Sequence, residues 1–565
     1  MILRYYYASL VSLLSFFLIG QHVGGQSRNA NAIVSFASTN VRFDQSQAPA
    51  RSVMETTTLT AWKGERVSAQ ILVWGQKDLT NLKLKISSFK NSNGQSFNTG
   101  SYRFMEYVAA DVSGGMCGKI PANLPEVAIA DRISLATSSN VSQRQLRPVW
   151  VTVDVPSNIA AGSYTATISL FADNAKVFDT LALTIKVGNR TLPPPSKWAF
   201  HLDLWQYPLR VSSCYKLVPW SQEHFNAMRP IMQMLANAGQ KVITTSFFWD
   251  TMNSNDWGAD NLMVKISRNT NGTYDYDFTN FDKWVTFMMS LGIDDQINCF
   301  GMYPFTNNLG FQYKDVAQQK NVKSTFALSS GSYNDFWFNM LVAFAKHLRQ
   351  KGWMDKTVLY FDERPPQSVI QLVKLIKQAD NDFKVGYAGG YNSQLNNFIY
   401  DYSIVSYLKI DPAALNARKA AGEVTTFYNT CTEKKPNLFT YSDPAEAVSM
   451  GWMAAANNYD GYLRYAFNIW ESNSSKTSRS SVVPAGDQFI VYPDSYSSVR
   501  FEKLREGIQD YTKLTILQQE FQRTNNRANL KKLTDLKNSF IIDQVKTVND
   551  FTSLVENAQA AINNM

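Results

Sequence analysis

Eight short apolar segments recur between residues 200 and 470, and longer stretches with helical periodicity separate them. Such a repeated strand and helix pattern, over about 270 residues, is the count and length expected of a (β/α)8 barrel. One intervening helix supports this, because Val369, Leu372, Val373 and Ile376 have the spacing of a single helix face. The predicted strands are residues 200–205, 241–249, 297–303, 357–363, 384–390, 404–408, 424–430 and 461–470.

The chain on either side of this region has a different pattern. In residues 26–190 apolar and polar side chains alternate with period two, which predicts an antiparallel β-sandwich that serves mainly as a scaffold. Three consecutive prolines make residues 191–196 a predicted stiff linker, so the barrel is assigned to 197–487. Residues 488–565 have helical patterning and predict a helical extension on the barrel.

The first 25 residues resemble an export signal. Arg4 precedes an apolar run, Ala8–Gly20, and small residues follow it. We therefore expect a periplasmic or secreted protein. No later segment approaches the roughly 20 apolar residues of a membrane span.

Composition argues against several partners. The net charge is +9, but the basic residues are scattered and no nucleic-acid recognition motif is present, so no nucleic acid is expected. The chain has four histidines, one of them within the export segment, and no HExxH pattern, so neither a metal nor another cofactor is expected. The four cysteines form no CxxC pair, which leaves their pairing open, as is the oligomeric state.

Two adjacent acids, Asp362 and Glu363, end the fourth predicted strand. Active sites of such barrels lie at the carboxyl ends of the strands. Neighbouring carboxylates are costly unless one holds a proton, and a carboxylic acid with a raised pKa can protonate a leaving glycosidic oxygen. The pair therefore predicts a glycoside hydrolase. A second pair, Asp294 and Asp295, precedes strand three and is expected on the opposite rim.

Adjacent carboxylates also restrict the mechanism. They cannot easily straddle a sugar ring as two acids about 5 Å or more apart do. They can act on one side of a 2-acetamido sugar, where one orients the amide N–H and the other protonates the departing oxygen. The substrate carbonyl oxygen is then the nucleophile, which predicts a retaining reaction on an N-acetylhexosamine.

Further candidate substrate contacts lie near the predicted strand ends. Asp203 and Asp250 are candidates for contacts with sugar hydroxyls, and Tyr391 or Tyr428 for a hydrogen bond to the acetamido carbonyl. Trp470 is a candidate apolar floor under the ring. For each of these candidate residues, a role in packing the barrel is an equally good interpretation. The remaining candidates are Asn468, Trp205 and Trp249.

Six blocks of the sequence resemble glycoside hydrolase family 123, whose members include β-N-acetylgalactosaminidases. The similarity covers nearly all of the chain after the export segment, and the order of the blocks matches. The blocks are GERVSAQ, FHLDLWQYP, YFDERP, DGYLRYAFNIW, PAGDQFIVYP and SSVRFEKLREGIQDY.

The resemblance implies a sandwich followed by a catalytic barrel and a glycan substrate with terminal β-linked N-acetylgalactosamine. It implies that Asp362 positions and polarises the acetamido group and that Glu363 is the general acid and base. The loop after strand eight departs from the family pattern, because Thr477 stands where an acid is usual before Ser478 and Arg479.

Two alternatives stay open. The same scaffold can carry a glycosidase for another sugar, such as an N-acetylglucosaminide or a sugar without an acetamido group, because fold does not fix function. A non-catalytic glycan-binding protein is the other alternative, and the intact acidic pair argues against it.

Overall fold

The computed structural model of the chain describes residues 31–49, 53–173, 177–248, 257–304 and 309–565. The predicted export segment and the candidates Trp249 and Asp250 lie outside the described residues. Within them the chain forms two packed β-sheets, an eight-stranded parallel barrel and a set of carboxyl-terminal helices. This is the predicted fold class, in which the sandwich precedes the barrel.

The amino-terminal domain is a sandwich of two sheets. The first has the strand order β1-β3-β10-β7-β8, the second has the order β2-β12-β11-β4-β9, and the hairpin β5-β6 joins β11. The neighbouring strands pair antiparallel as predicted, except that β2 and β12 are parallel. The strands are β1 (Ala32–Ala37), β2 (Thr56–Lys63), β3 (Arg66–Gly75), β4 (Leu79–Ile86), β5 (Phe89–Lys90), β6 (Ser96–Phe97), β7 (Gly100–Ala110), β8 (Val127–Ile133), β9 (Ser139–Val141), β10 (Leu146–Asp154), β11 (Gly162–Phe171) and β12 (Val177–Thr191).

Alternation along each strand builds the core of the sandwich. In β12, Leu181, Leu183, Ile185 and Val187 all point to one face and are buried. They share a core with apolar side chains of the other sheet, such as those of β10. Burial of each leucine or isoleucine stabilises the fold by about 1.5–3 kcal/mol, which fixes the register of the strand.

The barrel consists of eight parallel strands in the order β13-β24-β23-β22-β21-β20-β17-β14. Each corresponds to one of the eight predicted strands. A separate sheet has the order β16-β15-β18-β19, and β25 pairs with β8 of the sandwich. The strands are β13 (His201–Leu204), β14 (Val242–Ser246), β15 (Lys265–Arg268), β16 (Tyr274–Asp277), β17 (Gln296–Phe300), β18 (Gly310–Asp315), β19 (Lys320–Thr325), β20 (Thr357–Asp362), β21 (Lys384–Gly389), β22 (Asp401–Val405), β23 (Val424–Tyr428), β24 (Gly461–Arg464) and β25 (Ser497–Ser498).

Side chains help to close the seam between β13 and β14. The backbone N–H of Lys241 donates to the carbonyl of Leu202 at 3.0 Å. Above it, the amide oxygen of Gln206 accepts from the N–H of Thr244 at 2.9 Å, and the Thr244 hydroxyl accepts from the N–H of Gln206 at 3.1 Å. These bonds satisfy backbone groups that a regular ladder would otherwise pair.

Helices surround the barrel and form the carboxyl-terminal region. In α5 the four residues of the predicted apolar face are all buried, as the periodicity indicates. The helices are α1 (Pro208–Tyr215), α2 (Gln222–Ala236), α3 (Thr279–Ser290), α4 (Gly331–Lys351), α5 (Pro366–Ala379), α6 (Ser393–Asn396), α7 (Pro412–Ala420), α8 (Pro444–Ala456), α9 (Val499–Arg523), α10 (Arg527–Asn538), α11 (Ile542–Val545) and α12 (Phe551–Asn563). Among the helices of the described ranges, none is both long and apolar enough to cross a membrane.

Helix α9 joins the sandwich to the barrel domain through buried charges. Arg500 forms an ion pair with Asp131 of β8 at 2.9 Å, and both side chains are almost inaccessible to solvent. Lys513 contacts Glu65, between β2 and β3, at 2.5 Å. Removal of one partner from such a buried pair costs about 3–5 kcal/mol, so these contacts hold the two domains together.

The proline segment is a packed junction and not a free spacer. The N–H of Leu192 donates to the carbonyl of Lys63 in the sandwich at 2.7 Å. The indole of Trp198 donates to the carbonyl of Pro193 at 2.7 Å, and its ring belongs to the core of the barrel domain. The stiff segment therefore connects two domains that already contact each other.

A disulfide links the sandwich to the barrel. Cys117 lies in the sandwich loop, residues 111–126 between β7 and β8, and Cys431 follows β23. Cys214 and Cys299 are free thiols. Spacing in the sequence could not reveal this pairing, because it depends on how the two domains are arranged.

We expect the double substitution Cys117→Ser and Cys431→Ser to lower the free energy of unfolding by about 2–4 kcal/mol. The bond closes a loop of 314 residues and so restricts the unfolded chain strongly. Urea unfolding measures the change, and Cys214→Ser, at a free cysteine, is the control. Identical unfolding midpoints for the double variant and the control would contradict the expectation.

Candidate active site

Asp362 is the last residue of β20 and points into the barrel. Along this strand Val358 and Tyr360 lie in the barrel interior, whereas Leu359 and Phe361 belong to the core shared with the surrounding helices. The alternation of a strand therefore turns Asp362 inward at the carboxyl end. Its side chain is partly buried there.

The backbone at Glu363 departs from the strand. Continued alternation would place Glu363 on the opposite face from Asp362, but its φ is +50°, in the left-handed region. This conformation costs about 1–2 kcal/mol for a residue with a Cβ. The N–H of Glu363 donates to the carbonyl of Ala388 on β21 at 2.8 Å, which holds the bend. The bend breaks the alternation and brings the second carboxylate toward the mouth of the barrel.

Tyr428 on β23 identifies where the Glu363 carboxylate lies. The phenol hydroxyl donates to Glu363 Oε1 at 2.6 Å. Burial raises the pKa of Tyr428, and the charges of Glu363 and Asp362 raise it further. The phenol therefore stays protonated at neutral pH and acts as a hydrogen-bond donor within the field of both acids.

Tyr387 and Arg364 surround the pair from the other side. Burial raises the pKa of Tyr387 to about 12, with further contributions from Glu363 and Asp362. Its hydroxyl donates to the backbone carbonyl of Arg364 at 2.9 Å. The Arg364 Nε donates to the backbone carbonyl of Asp362 at 2.9 Å, and its guanidinium lies 5.0 Å from the ring centroid of Tyr303. This network orients the segment that carries both carboxylates.

The environment favours one retained proton on the pair. Burial and the charge of Glu363 raise the pKa of Asp362 from 3.8 to about 8, although Arg364 acts in the opposite direction. At neutral pH Asp362 therefore holds its proton beside the Glu363 side chain. This is the state that sequence considerations require for acid catalysis.

We expect Asp362→Asn to be more stable than the wild-type protein at high pH. The folded protein binds the Asp362 proton more tightly than the unfolded chain does. This contribution is complete below pH 3.8 and is lost as the pH rises through about 8. Urea unfolding should therefore show equal stability near pH 4 and an advantage for the variant that grows by about 1 kcal/mol per pH unit up to about pH 8. Asp294→Asn, at an exposed position, is the control, and an advantage that does not change with pH would contradict the expectation.

The structure places Asp203 and Trp205 inside the barrel. Asp203 is 1% exposed and accepts hydrogen bonds from the Trp205 indole at 3.2 Å and from Asn298 at 3.1 Å. The Trp205 ring packs against Phe300, with centroids 4.8 Å apart. Both side chains are buried, whereas contact with substrate at the strand end would need them exposed. Substrate binding by Asp203 and Trp205 stays a prediction, and their buried positions do not favour it.

Asn468 and Trp470 are also buried, in the irregular segment after β24. Asn468 bonds through its side chain to the backbone N–H and carbonyl of Tyr207, at 3.0 and 3.2 Å. The Trp470 indole donates to the carbonyl of Val491 at 2.7 Å. Tyr391 is half-buried beyond β21, with its ring 6.0 Å from that of Tyr402. Of the sequence-predicted contacts that lie within the described residues, Tyr428 is the one with a hydrogen bond to the acidic pair.

Sequence considerations missed three residues near the pair. Arg364 and Tyr387 orient the acidic segment, and Tyr407, which is 55% exposed, follows Ser406 just beyond the end of β22. Partial burial and then the charges of Glu363 and Glu433 raise the pKa of Tyr407. The position of Tyr407 near the carboxyl end of the sixth predicted strand, residues 404–408, was the signal that could have identified it.

The loop after β24 contacts the sandwich. Arg479 forms an ion pair with Asp111 at 3.0 Å, and the Thr477 hydroxyl donates to the carbonyl of Ala109 at 3.2 Å. The departure from the family pattern at Thr477 thus lies at a domain contact. Across the described ranges there is no group of three or more His, Cys, Asp or Glu residues that could hold a metal ion.

Comparisons with known proteins agree with this architecture. A family model for the glycoside hydrolase 123 catalytic domain matches residues 205–517, and one for the glycoside hydrolase 123 N-terminal domain matches residues 36–172. A family 123 glycoside hydrolase from Clostridium perfringens, whose structure was solved to explain glycolipid glycan hydrolysis, is 25% identical. The similarity covers 94% of this chain and 98% of that one, with a TM-score of 0.83.

More distant structural similarity is weak. An endo-β-1,4-mannanase from Thermotoga petrophila is 11% identical over 57% of this chain and 78% of its own, with a TM-score of 0.32. This score is too low to support an argument about fold or function. No curated protein is detectably similar to the chain.

Proposed function

The chain belongs to glycoside hydrolase family 123, and from this premise we propose that it removes terminal β-linked N-acetylgalactosamine from glycans with retention of configuration. Membership of the family makes it a glycoside hydrolase. The observation that carries the finer proposal is the left-handed bend at Glu363, which brings two consecutive carboxylates to one barrel mouth. Two acids so close together suit a substrate that supplies its own nucleophile.

In the first step the acetamido carbonyl oxygen attacks the anomeric carbon while the glycosidic C–O bond breaks. Glu363 gives its proton to the departing oxygen. Asp362 accepts a hydrogen bond from the amide N–H and balances the positive charge of the oxazolinium intermediate. In the second step water attacks the anomeric carbon, Glu363 accepts its proton, and the carbonyl oxygen leaves, so the configuration is retained.

In the free protein the raised pKa of Asp362 keeps the proton on that residue at neutral pH, so the proposed roles need substrate to redistribute it. An amide N–H that donates to Asp362 favours its ionised form, and in the proposed mechanism Glu363 is the carboxylic acid when substrate is bound. Tyr428 donates to Glu363 at 2.6 Å and holds the carboxyl in position. Tyr428 is therefore a positioning residue in this mechanism.

We also propose that the enzyme acts outside the cytoplasm, in the periplasm or after secretion. The apolar amino-terminal segment supports this location. The disulfide between Cys117 and Cys431 supports it as well, because such bonds persist mainly in oxidising compartments.

Hydrolysis of 4-nitrophenyl β-glycosides of N-acetylgalactosamine, N-acetylglucosamine and galactose tests the proposal. We expect the first to be cleaved fastest and the galactoside not to be cleaved. Faster cleavage of the N-acetylglucosaminide would identify the other acetamido sugar as substrate. Equal cleavage of the galactoside would contradict substrate assistance, and binding without turnover of any glycoside would favour a glycan-binding protein.

A further inference from the structure

The Glu363 side chain lies across the ends of neighbouring strands. Its backbone N–H bonds to Ala388 on β21, and its carboxylate accepts the hydroxyl of Tyr428 on β23. β22 stands between β21 and β23 in the barrel. The N–H of Ser406, the first residue after β22, donates to the carbonyl of Tyr428, so the turn after β22 lies beside the tyrosine that bonds to the carboxylate that we assign as general acid.

Tyr407 is the aromatic residue at this position. β22 ends at Val405, and Tyr407 is 55% exposed, whereas the tyrosines that line the barrel interior beside the pair are buried. Partial burial raises the pKa of Tyr407, and the charges of Glu363 and Glu433 raise it further, which agrees with this proximity. An exposed aromatic ring thus lies immediately outside the catalytic carboxylates.

The turn that carries Tyr407 is held firmly. The N–H of Ser406 donates to the carbonyl of Tyr428 at 2.9 Å, and its hydroxyl donates to Glu433. On the other side of Tyr407, the N–H of Leu408 donates to the carbonyl of Val405 at 3.0 Å. A ring on a fixed backbone loses little conformational entropy when a ligand packs on it.

The same rim carries further exposed apolar side chains from both domains. Leu408 follows Tyr407, Val112 and Met116 belong to the sandwich loop, and Val482 lies in the loop after β24. The sandwich loop is fixed to this rim by the disulfide to Cys431 and by the N–H of Gly118, which donates to the carbonyl of Val482 at 2.9 Å. Exposed apolar side chains on segments that meet at one rim are typical of a binding surface.

We propose that Tyr407 is the platform of a subsite for the leaving-group sugar, with the apolar side chains of the sandwich loop at its outer edge. The inference rests on the proposed function, because a general acid lies beside the oxygen that departs. The surface just outside Glu363 therefore faces the leaving group. An exposed tyrosine offers an apolar ring face to the C–H groups of a pyranose while its hydroxyl stays in water. The ligand class is a hexopyranose.

Comparison of a disaccharide with a small inhibitor tests Tyr407. For N-acetylgalactosamine β-linked to galactose, Tyr407→Ala lowers kcat/KM about tenfold. The Ki of an N-acetylgalactosamine thiazoline, which fills the N-acetylhexosamine subsite alone, stays unchanged. Tyr407→Phe keeps the ring and retains the disaccharide kcat/KM within about twofold. The Cys117→Ser and Cys431→Ser double variant is measured well below its melting temperature. Its kcat/KM on the disaccharide also falls, and its Ki for the thiazoline does not change.

Phe398→Ala is the matched control. Phe398 is an aromatic residue, 44% exposed, that precedes the same strand at the opposite end of the barrel, so its substitution leaves both quantities unchanged. An unaltered disaccharide kcat/KM in Tyr407→Ala overturns the proposal that Tyr407 is a platform. A rise in the thiazoline Ki as large as the fall in kcat/KM overturns it as well. A loss confined to lipid-linked glycans also overturns it, because the occupant is then an apolar chain. Cleavage of the aryl N-acetylgalactosaminide by the wild-type enzyme establishes the proposed function independently of Tyr407.

Discussion

Glu363→Gln should lower kcat/KM on a glycoside with a sugar leaving group by about 10³–10⁴-fold. Glutamine keeps the shape of the side chain and can still contact Tyr428, but it cannot give a proton to the glycosidic oxygen. A sugar alkoxide is a poor leaving group and needs that proton. A 2,4-dinitrophenolate leaves without it, so kcat/KM on the dinitrophenyl glycoside should fall by less than about tenfold in the first step.

Steady-state rates on both substrates measure this difference. Glu223→Gln, the same change at an exposed position on α2, is the control and should leave both rates unaltered. A near wild-type rate of Glu363→Gln on the natural linkage would refute the assignment of the general acid. An equal loss on both substrates would mean that Glu363 acts on a part of the substrate other than the leaving oxygen.

Asp362→Asn should lower kcat/KM by about 10²–10³-fold whatever the leaving group. The oxazolinium carries a positive charge, and a neutral amide cannot balance it or accept the N–H hydrogen bond in the same geometry. The loss therefore applies equally to sugars and to dinitrophenolate. Because the variant is expected to be more stable than the wild-type enzyme near pH 8, unfolding cannot account for the loss.

A series of aryl glycosides with leaving groups of different pKa distinguishes the two carboxylates. The plot of log kcat/KM against leaving-group pKa should become steeper in Glu363→Gln and keep its wild-type slope in Asp362→Asn. The opposite pattern would show that the roles of the two carboxylates are exchanged.

The barrel was predictable because its strands are short apolar runs whose pattern is local. All eight predicted strands are present in the expected order, and the apolar face of α5 is buried as its periodicity indicates. The parallel pairing of β2 with β12 was not predictable. The direction of pairing depends on how distant segments meet, and period-two alternation is the same in both cases.

The acidic pair was identifiable from its position, but its geometry was not. Alternation along β20 places consecutive side chains on opposite faces, and the left-handed bend at Glu363 overrides it. Asn468 and Trp470 were placed at a strand end because the apolar run continues to Trp470. β24 ends at Arg464, and the later apolar residues pack in the segment beyond the strand. The bend at Glu363 and the positions of Asn468 and Trp470 depend on tertiary packing, which a local sequence pattern does not contain.

Several blocks of the family pattern are explained by structure and not by catalysis. Glu65 of the GERVSAQ block contacts Lys513, in the helix that the last block begins, at 2.5 Å. Arg464 in the strand-eight block forms a buried ion pair with Asp487 of PAGDQFIVYP at 2.6 Å. These contacts join the two domains and connect β24 to the segment that follows it.

The identity of the nucleophile is tested most directly by fluorination of the substrate's own amide. The measurement is kcat/KM for aryl β-glycosides of galactosamine that carry N-acetyl, N-fluoroacetyl, N-difluoroacetyl and N-trifluoroacetyl groups. Each fluorine makes the amide oxygen less nucleophilic, so attack by that oxygen predicts a steep and progressive fall across the series. Equal values of kcat/KM for all four substrates would show that the amide oxygen does not attack, and would contradict the paired action of Asp362 and Glu363.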